Sequence, residues 1–189
     1  TVCEDGKIHH YKDFKRQEIF RAYKDTVFMK KKEIIASLSL RLFKDCQEKI
    51  ATKMHACLND RKEKKQFIYP SCGCVFKNNY HPSISVPSGL LLEQAGAQAL
   101  ELGGAKVSPY HSNFVWNKKA SSKDILTLTE KMRELVYEKF GVWLEYEMEV
   151  LGQLSKEEER LLKRKKKNCP DPKKLKVLQN LFLKRQNKH

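Results

Sequence analysis

The sequence lacks any apolar run near the roughly 20 residues that a membrane-spanning helix needs. It also shows no signal-peptide pattern, and it does not begin with methionine. From these absences we expect a protein with no membrane partner, in a chain that is either processed or a fragment whose upstream part is missing. Because 40% of the residues are hydrophobic, the chain can bury a core, and global disorder is excluded.

The cysteines lack the regular spacing of a disulfide framework, which favours a reducing compartment and a cytoplasmic location. Cys72 and Cys74, separated by one residue, resemble half of a metal-binding site. No second Cys/His pair follows at finger-like spacing, so we predict no metal. The Gly103-Gly104 pair is not followed by Lys-Ser/Thr, so it does not indicate a phosphate-binding loop.

Acidic residues are few, with 23 Asp/Glu against 38 Lys/Arg and a net charge of +15. Residues 153–189 hold 13 Lys/Arg and 4 Asp/Glu, so +9 of that charge lies in this tail and +6 in the first 152 residues. The basicity is therefore mainly a property of the tail. It leaves nucleic acid as a possible partner of residues 153–189 rather than of the part before them.

Before residue 66, the patterns predict strands and one helix. A strand pair should flank the Asp5-Gly6 turn, a loop should cover residues 20–28, and residues 34–43 alternate as in a half-buried strand. A helix capped by Asp45 should run to about Lys65, with an apolar stripe formed by Ile50, Met54, Cys57 and Leu58.

After residue 87, helices and strands alternate. We predict a helix from Ser88, a short strand at 102–107 entered through a glycine bend, and another strand at 114–117. An amphipathic helix over 121–140 should begin with a capping box at Ser121–Asp124, with its inward face formed by Ile125, Leu128, Met132, Leu135 and Val136. A final strand should cover 143–151, with Glu145, Glu147 and Glu149 on one side. The strand pairing does not follow from the sequence, so we assign the α+β class. Past Gly152, a helix capped by Ser155 and a short last helix predict a basic helical appendage without a core of its own.

One stretch, residues 69–78, carries two thiols, a cation and an amide directly after a proline that stops a helix. Val75 and Phe76 should enter a core, which would present Cys74, Lys77 and Asn78 at its rim. This arrangement is a plausible geometry for a binding or catalytic site.

The same stretch, Tyr69-Pro-Ser-Cys-Gly-Cys-Val-Phe-Lys-Asn78, resembles the signature of the flavin-dependent UDP-N-acetylenolpyruvoylglucosamine reductases, the MurB family. That family usually shows Pro-Ser-x-Gly-Ser-Phe/Val-Phe-Lys-Asn-Pro there, and some members have Cys in place of the second Ser. Ser88–Gly96, Leu102–Asn117 and Phe140–Gly152 are similar to three later family motifs, in the same order and spacing. Tyr23–Phe28 resembles an earlier motif more weakly, and the tail has no counterpart.

The resemblance implies three parts. Residues 1–62 would be the end of the FAD-binding domain plus a connecting helix, residues 63–152 a MurB-type C-terminal substrate-binding domain, and residues 153–189 a basic helical tail. The implied reaction reduces UDP-N-acetylglucosamine enolpyruvate to UDP-N-acetylmuramate with NADPH and FAD, for peptidoglycan precursor synthesis.

The resemblance also implies site residues. Cys74 takes the place of the proton donor, a role open to a thiol because its reference pKa of about 8.5 keeps it mostly protonated at pH 7. The alternative for Cys74 is a buried small hydrophobic residue. Glu147 takes the place of the family's carboxylate partner, and its alternative is an exposed strand residue.

Three further positions follow from the same resemblance. Lys24 stands where the family has arginine, so the positive charge is kept but the planar fork that grips a carboxylate is lost. Lys77 and Asn78 match positions near the substrate diphosphate. For Glu93, His111 and Asn113 we expect mainly scaffold roles.

The family's flavin pyrophosphate loop and glycine-rich segment would lie upstream of Thr1. We therefore predict that this polypeptide alone neither retains FAD nor turns over. The competing hypothesis is a non-catalytic, repurposed domain that binds RNA or a ribonucleoprotein through its basic tail. Steeply salt-dependent RNA binding that is lost without residues 153–189 would favour it.

Overall fold

The computed structural model describes residues 2–4, 7–9, 16–22, 24–30, 34–63, 65–81 and 84–187. The chain divides into two compact units, Thr1–Thr52 and Lys53–His189. Among the described residues, no helix is both long and apolar enough to cross a membrane. The predicted Asp5-Gly6 turn lies outside the described residues.

The first unit is built from short antiparallel strands. Its elements are β1 (Val2–Glu4), β2 (Lys7–His9), α1 (Arg16–Ile19), β3 (Phe20–Ala22), β4 (Asp25–Thr26), a 3₁₀ turn (Val27–Lys30) and β5 (Ile34–Ile35). β1 pairs with β2 and β5, which confirms the predicted strand pair. The predicted loop at 20–28 is wrong, because β3 and β4 form a hairpin there. Lys24 adopts a φ of 55° in its turn.

The long strand predicted over residues 34–43 is also wrong. Only Ile34–Ile35 is a strand, and residues 36–46 have no regular structure. Leu38 is 75% exposed and Leu42 is 81% exposed. Alternating apolar residues form a half-buried strand only where a neighbouring strand binds the backbone, and among the described residues the pairing of β5 stops at Ile35.

Helix α2 (Gln47–Glu63) agrees with the predicted helix within two residues at each end. The Asp45 side chain accepts a hydrogen bond from the Cys46 amide at 2.8 Å, just before the helix begins. None of the residues of α2 is buried. Its apolar stripe, like the 34–43 segment, is therefore exposed in the described part of the chain.

The second unit contains the core. Its elements are β6 (Asn79–His81), β7 (Ile84–Val86), α3 (Ser88–Gln94), a 3₁₀ turn (Ala97–Ala99), β8 (Glu101–Leu102), β9 (Ala105–Val107), β10 (Val115–Asn117), α4 (Ser122–Phe140), α5 (Lys156–Lys163) and α6 (Pro172–Gln186). β6 pairs with β7, and β8, β9 and β10 form an antiparallel sheet. The strand predicted at 102–107 is thus a hairpin, turned by two glycines with positive φ.

Helix α4 runs through the middle of this core. Ser121 and Asp124 form the capping box that the sequence predicted. On the predicted inward face, Leu128, Met132 and Val136 are fully buried, and Ile125 and Leu135 pack against them half-buried. The 3.6-residue period therefore identified the buried face of this helix correctly.

The final strand predicted at 143–151 is wrong. Residues 143–151 form one isolated bridge, between Tyr146 and Phe76, and no ladder. The Val75 carbonyl accepts hydrogen bonds from two successive amides, those of Glu147 (2.8 Å) and Met148 (3.3 Å), which breaks the regular register.

The tail is not an appendage, so that prediction is wrong as well. Helix α6 begins at Pro172 after the Asp171 cap, and it buries Leu175 (3% exposed) and Leu178 (5% exposed) in the same core as α4. Between α5 and α6 the chain is bonded back to the end of α4, because the Cys169 amide donates to the Gly141 carbonyl at 2.8 Å. Residues 153–187 are thus packed as part of the second unit.

Several of the tail's cations have partners within the fold. Arg164 lies 2.8 Å from Glu130 and 2.7 Å from Glu134, and Arg185 lies 2.9 Å from Glu93. The Lys166 ammonium lies over the rings of Tyr137 and Trp143. A share of the basic charge therefore stabilises the fold, which weakens the case for a basic arm dedicated to RNA.

Leu178→Ala should lower the free energy of unfolding of the second unit by about 2–3 kcal/mol, because it removes buried methyl groups and leaves a cavity. Val177→Ala, on the exposed side of the same helix (66% exposed), should change it by less than about 0.5 kcal/mol. Urea unfolding followed by tryptophan fluorescence measures both. Equal, small effects would mean that α6 is not docked.

Candidate functional site

The site is built around residues 73–78, which lie between two other segments. Gly73 turns the chain with a φ of 83°, a conformation that glycine adopts without strain. After it, Val75 and Phe76 are fully buried, as the sequence predicted. On one side the Val75 amide donates to the Asn113 carbonyl at 2.9 Å, and on the other the Lys77 amide donates to the Glu145 carbonyl at 2.9 Å.

The buried Asn113 side chain secures this segment. Its Oδ1 accepts from the Phe76 amide at 2.9 Å, and its Nδ2 donates to the Phe76 carbonyl at 2.8 Å. A single side chain thereby satisfies both backbone groups of a buried residue, where unpaired polar groups are costly. The predicted scaffold role of Asn113 is confirmed.

Lys77 and Asn78 connect the segment to helix α3. The Ser88 amide at the start of α3 donates to Asn78 Oδ1 at 3.2 Å, and Ser88 Oγ donates to the Lys77 carbonyl. The Lys77 ammonium lies 3.7 Å from the Glu145 carboxylate, and Lys77 is half-buried. Hydrogen bonds thus fix the backbone of Lys77 and the side chain of Asn78.

A cleft of about 480 Å³ opens beside this segment. Cys74 and Asn78 contribute to its wall from the segment itself. The rest of the lining comes from α3 and its N-cap, from the 3₁₀ turn after it, from the loop before β10 and from the last turns of α6: Pro87, Gly89, Leu90, Glu93, Gln98, Tyr110, His111, Ser112, Asn113, Phe182, Arg185 and Gln186. A half-buried thiol, an amide, an imidazole and a guanidinium therefore line one cavity.

Glu147 and Lys24 lie in different units. Glu147 is half-buried whereas Glu145 and Glu149 are exposed, and its amide is bonded to Val75, the residue after Cys74. Cys74, Lys77, Asn78 and Glu147 thus share one scaffold, but Cys74 and Asn78 line the cleft whereas Lys77 and Glu147 do not. Lys24 is an exposed residue of the first unit.

The two neighbouring thiols differ in their surroundings. Cys72 is exposed and Cys74 is half-buried. Although the Cys72 residue is exposed, partial desolvation of its thiol raises the pKa of that thiol above its ordinary value. No group of three or more His, Cys, Asp or Glu that could hold a metal ion occurs among the described residues.

An ion pair joins two walls of the cleft. Arg185 donates from Nη1 to Glu93 Oε2 at 3.1 Å and from Nη2 to Glu93 Oε1 at 2.9 Å. These hydrogen bonds are the main reason that the pKa of Glu93 is lowered and that the pKa of Arg185 is raised. Such a bidentate pair fixes the end of α6 against α3.

Sequence reasoning missed the residues that α6 brings to the cleft, Phe182 and Arg185. The tail matches no family motif, and lysine and arginine dominate its composition. The signal was nevertheless present, because Leu175, Leu178 and Phe182 recur at spacings of three and four residues. That spacing predicts one buried face on the last helix.

Comparisons with known proteins agree with this architecture. Residues 63–151 match the model of the UDP-N-acetylenolpyruvoylglucosamine reductase C-terminal domain. The UDP-N-acetylenolpyruvoylglucosamine reductase of Borreliella burgdorferi is 38% identical over 153 residues, which cover 80% of this chain and 49% of that protein. That of Treponema denticola is 39% identical over 141 residues, which cover 74% of this chain and 43% of that protein.

A solved structure gives the same result. The crystal structure of UDP-N-acetylenolpyruvylglucosamine reductase from Thermus caldophilus matches with a TM-score of 0.60 at 30% identity, covering 80% of this chain and 51% of that one. This chain thus spans about half the length of the curated relatives it matches.

Fold and cleft together define an α+β domain in which a thiol-bearing turn forms one wall of a cavity. The matches then specify which domain this is. Through residues 63–151 the chain belongs to the UDP-N-acetylenolpyruvoylglucosamine reductase family, as its C-terminal domain.

Proposed function

We propose that this chain is the substrate-binding part of a UDP-N-acetylenolpyruvoylglucosamine reductase. The complete enzyme would be an oxidoreductase that reduces UDP-N-acetylglucosamine enolpyruvate to UDP-N-acetylmuramate for peptidoglycan synthesis. The observation that carries the proposal is the half-buried Cys74 thiol in the wall of a cleft, on a scaffold made of three family-like segments.

The reaction needs a hydride on one vinyl carbon and a proton on the other. Cys74 supplies the proton from its sulfur, and the resulting thiolate is reprotonated from solvent before the next turnover. Lys77 and Asn78 hold the substrate diphosphate, and Glu147 is the carboxylate partner near the reacting carbons. Lys24 keeps the positive charge of the arginine that the family has at this position, a charge suited to the enol carboxylate.

FAD and NADPH supply the hydride chemistry in this proposal, but the described residues do not fit as a flavin diphosphate site. Their one adjacent glycine pair, Gly103-Gly104, packs against the Asp124 carboxylate and the Lys118 carbonyl. Both are acceptors that would repel phosphate oxygens. The contribution of this chain is therefore the proton and the binding of the substrate.

The exposed apolar side chains of the first unit support the proposal that another protein segment covers them. Leu40, Leu42 and Phe43 are 70%, 81% and 91% exposed. A run of large apolar side chains in water is typical of an interface with another chain segment. The flavin-binding part of the reductase is the segment we propose to cover them.

The proposal is tested by titrating the purified chain with UDP-N-acetylglucosamine enolpyruvate in a calorimeter. We expect one molecule bound per chain, with no flavin absorbance in the purified protein. Co-expression with a flavin-binding part should then produce NADPH oxidation that depends on this substrate. Flavin retained by the chain alone would contradict the assignment of the cofactor site. RNA binding with a steep salt dependence, without nucleotide-sugar binding, would contradict the reductase altogether.

A further inference from the structure

The last turns of α6 lie beyond the residues that match the reductase domain model, yet they form one wall of the cleft that holds Cys74. Residues 63–151 match that model, whereas Phe182, Arg185 and Gln186 line the cleft from α6. The cavity is therefore completed by a segment that lies outside the residues matching the family model.

Helix α6 is held in this place along its whole length. Asp171 caps its first turn, accepting from the amides of Lys173 (3.0 Å) and Lys174 (3.2 Å). Leu175 and Leu178 anchor the middle in the core. Near its C-terminal end, Arg185 makes the bidentate pair with Glu93. The helix is thus a fixed wall of the cleft.

Arg185 is the one lysine or arginine among the described residues that line the cleft. Its guanidinium has five N–H donors in a planar fork, and Glu93 accepts two of them. Donors are therefore left for a second acceptor, and a planar guanidinium suits the oxygens of a phosphate group. The Glu93 carboxylate acts as the support that fixes the orientation of the fork.

We propose that Arg185 is a specificity-determining residue that binds the diphosphate of a nucleotide-sugar substrate inside this cleft. The inference rests on the proposed function, because the ligand is the substrate named there. Asn78 lines the same cleft, so the amide and the guanidinium would hold one diphosphate between them. The tail then has a role in substrate selection.

The test compares Arg185→Gln with Lys184→Gln, which removes one positive charge from the neighbouring exposed position of the same helix. Calorimetric titration uses UDP-N-acetylglucosamine enolpyruvate, and uridine serves as a ligand without phosphate. Arg185→Gln should lower the affinity for the enolpyruvate substrate by about tenfold, because charge-assisted hydrogen bonds to phosphate are lost. It should leave the affinity for uridine unchanged. Lys184→Gln should leave both affinities unchanged. The substrate affinity of Arg185→Lys should lie between those of the wild type and Arg185→Gln.

A second measurement does not depend on the substrate. In a Cys72→Ala background, Cys74 is alkylated with iodoacetate, which is anionic, and with iodoacetamide, which is neutral. Peptide mass spectrometry follows the modification of Cys74 separately from that of the exposed Cys46, Cys57 and Cys169. If the Arg185 charge acts inside the cleft, it attracts the anionic reagent. Arg185→Gln should then lower the ratio of the iodoacetate rate to the iodoacetamide rate by about twofold, the size of a screened charge interaction. Lys184→Gln should leave the ratio as it is.

The outcomes separate this inference from the proposed function. Loss of enolpyruvate-substrate affinity in Arg185→Gln, with uridine binding and the unfolding midpoint kept, supports the inference. Equal affinities in Arg185→Gln and the wild type, or an unchanged alkylation ratio, overturn it while the reductase assignment stands. A wild-type chain that binds no uridine nucleotide, even together with the flavin-binding part, overturns both.

Discussion

Cys74→Ala is expected to lower substrate reduction by about 10²- to 10⁴-fold in the complete reductase, the usual contribution of a positioned general acid. The half-reaction in which NADPH reduces the flavin should proceed as in the wild type, because it needs no proton from Cys74. Stopped-flow absorbance of the flavin measures the two half-reactions separately. Cys74→Ser should keep much of the activity, since a hydroxyl can also donate a proton.

Cys72→Ala is the matched control for this experiment. It removes a thiol two residues away that is exposed and absent from the cleft lining. We expect it to reduce the substrate at the wild-type rate. A Cys74→Ala protein that oxidises reduced flavin with substrate as fast as the wild type would rule out Cys74 as the proton donor. Slowing of both half-reactions would instead indicate a damaged fold.

Arg133→Met is expected to lower the free energy of unfolding of the second unit by about 3–5 kcal/mol, the cost of breaking a buried ion pair. Arg133 is 3% exposed, and it donates to Glu130 Oε2 (3.1 Å), the Leu144 carbonyl (3.0 Å) and the Arg164 carbonyl (3.0 Å). Its guanidinium also lies 4.1 Å from the ring centre of Trp143. The substitution leaves acceptors buried without their donor.

The neighbouring Lys131→Met is the control, because Lys131 is exposed on the same helix. It should change the free energy of unfolding by less than about 0.5 kcal/mol. Both tryptophans, Trp116 and Trp143, belong to the second unit, so urea unfolding followed by their fluorescence reports on that unit. A loss below about 1 kcal/mol for Arg133→Met would show that the network contributes little net stability.

This network also matters for the site. Arg133 binds the Leu144 carbonyl, and the next residues, Glu145 and Glu147, bind the backbone beside Cys74. A side chain of α4 therefore positions the segment that is hydrogen-bonded to the turn carrying Cys74. We expect Arg133→Met to weaken substrate binding in addition to destabilising the fold.

The sequence was sufficient for local features whose causes are local. The capping boxes at Ser121 and Ser155 and the buried face of α4 were predicted from residue spacing, and the structure contains them. The burial of Val75 and Phe76 within the 69–78 stretch was also predicted correctly. Each of these depends on side chains within a few turns of the backbone, so the pattern alone contains the information.

Predictions failed where the outcome depended on a partner elsewhere in the chain. Alternation at 34–43 and 143–151 resembled strands, but a strand forms only when another backbone pairs with it. The charged composition of the tail predicts an appendage, but Leu175 and Leu178 are buried in the core, and Leu181 and Phe182 pack against it.

By itself, the sequence determined the α+β class and the family resemblance, and it indicated residues 69–78 as the candidate site. Tertiary structure alone decided that Asn113 and residues 145–148 hold that stretch, and that α6 closes the cleft beside it with Arg185. The physical reason is that distant segments pack together by burying a shared core. The spacing of residues along the chain does not specify which segments those are.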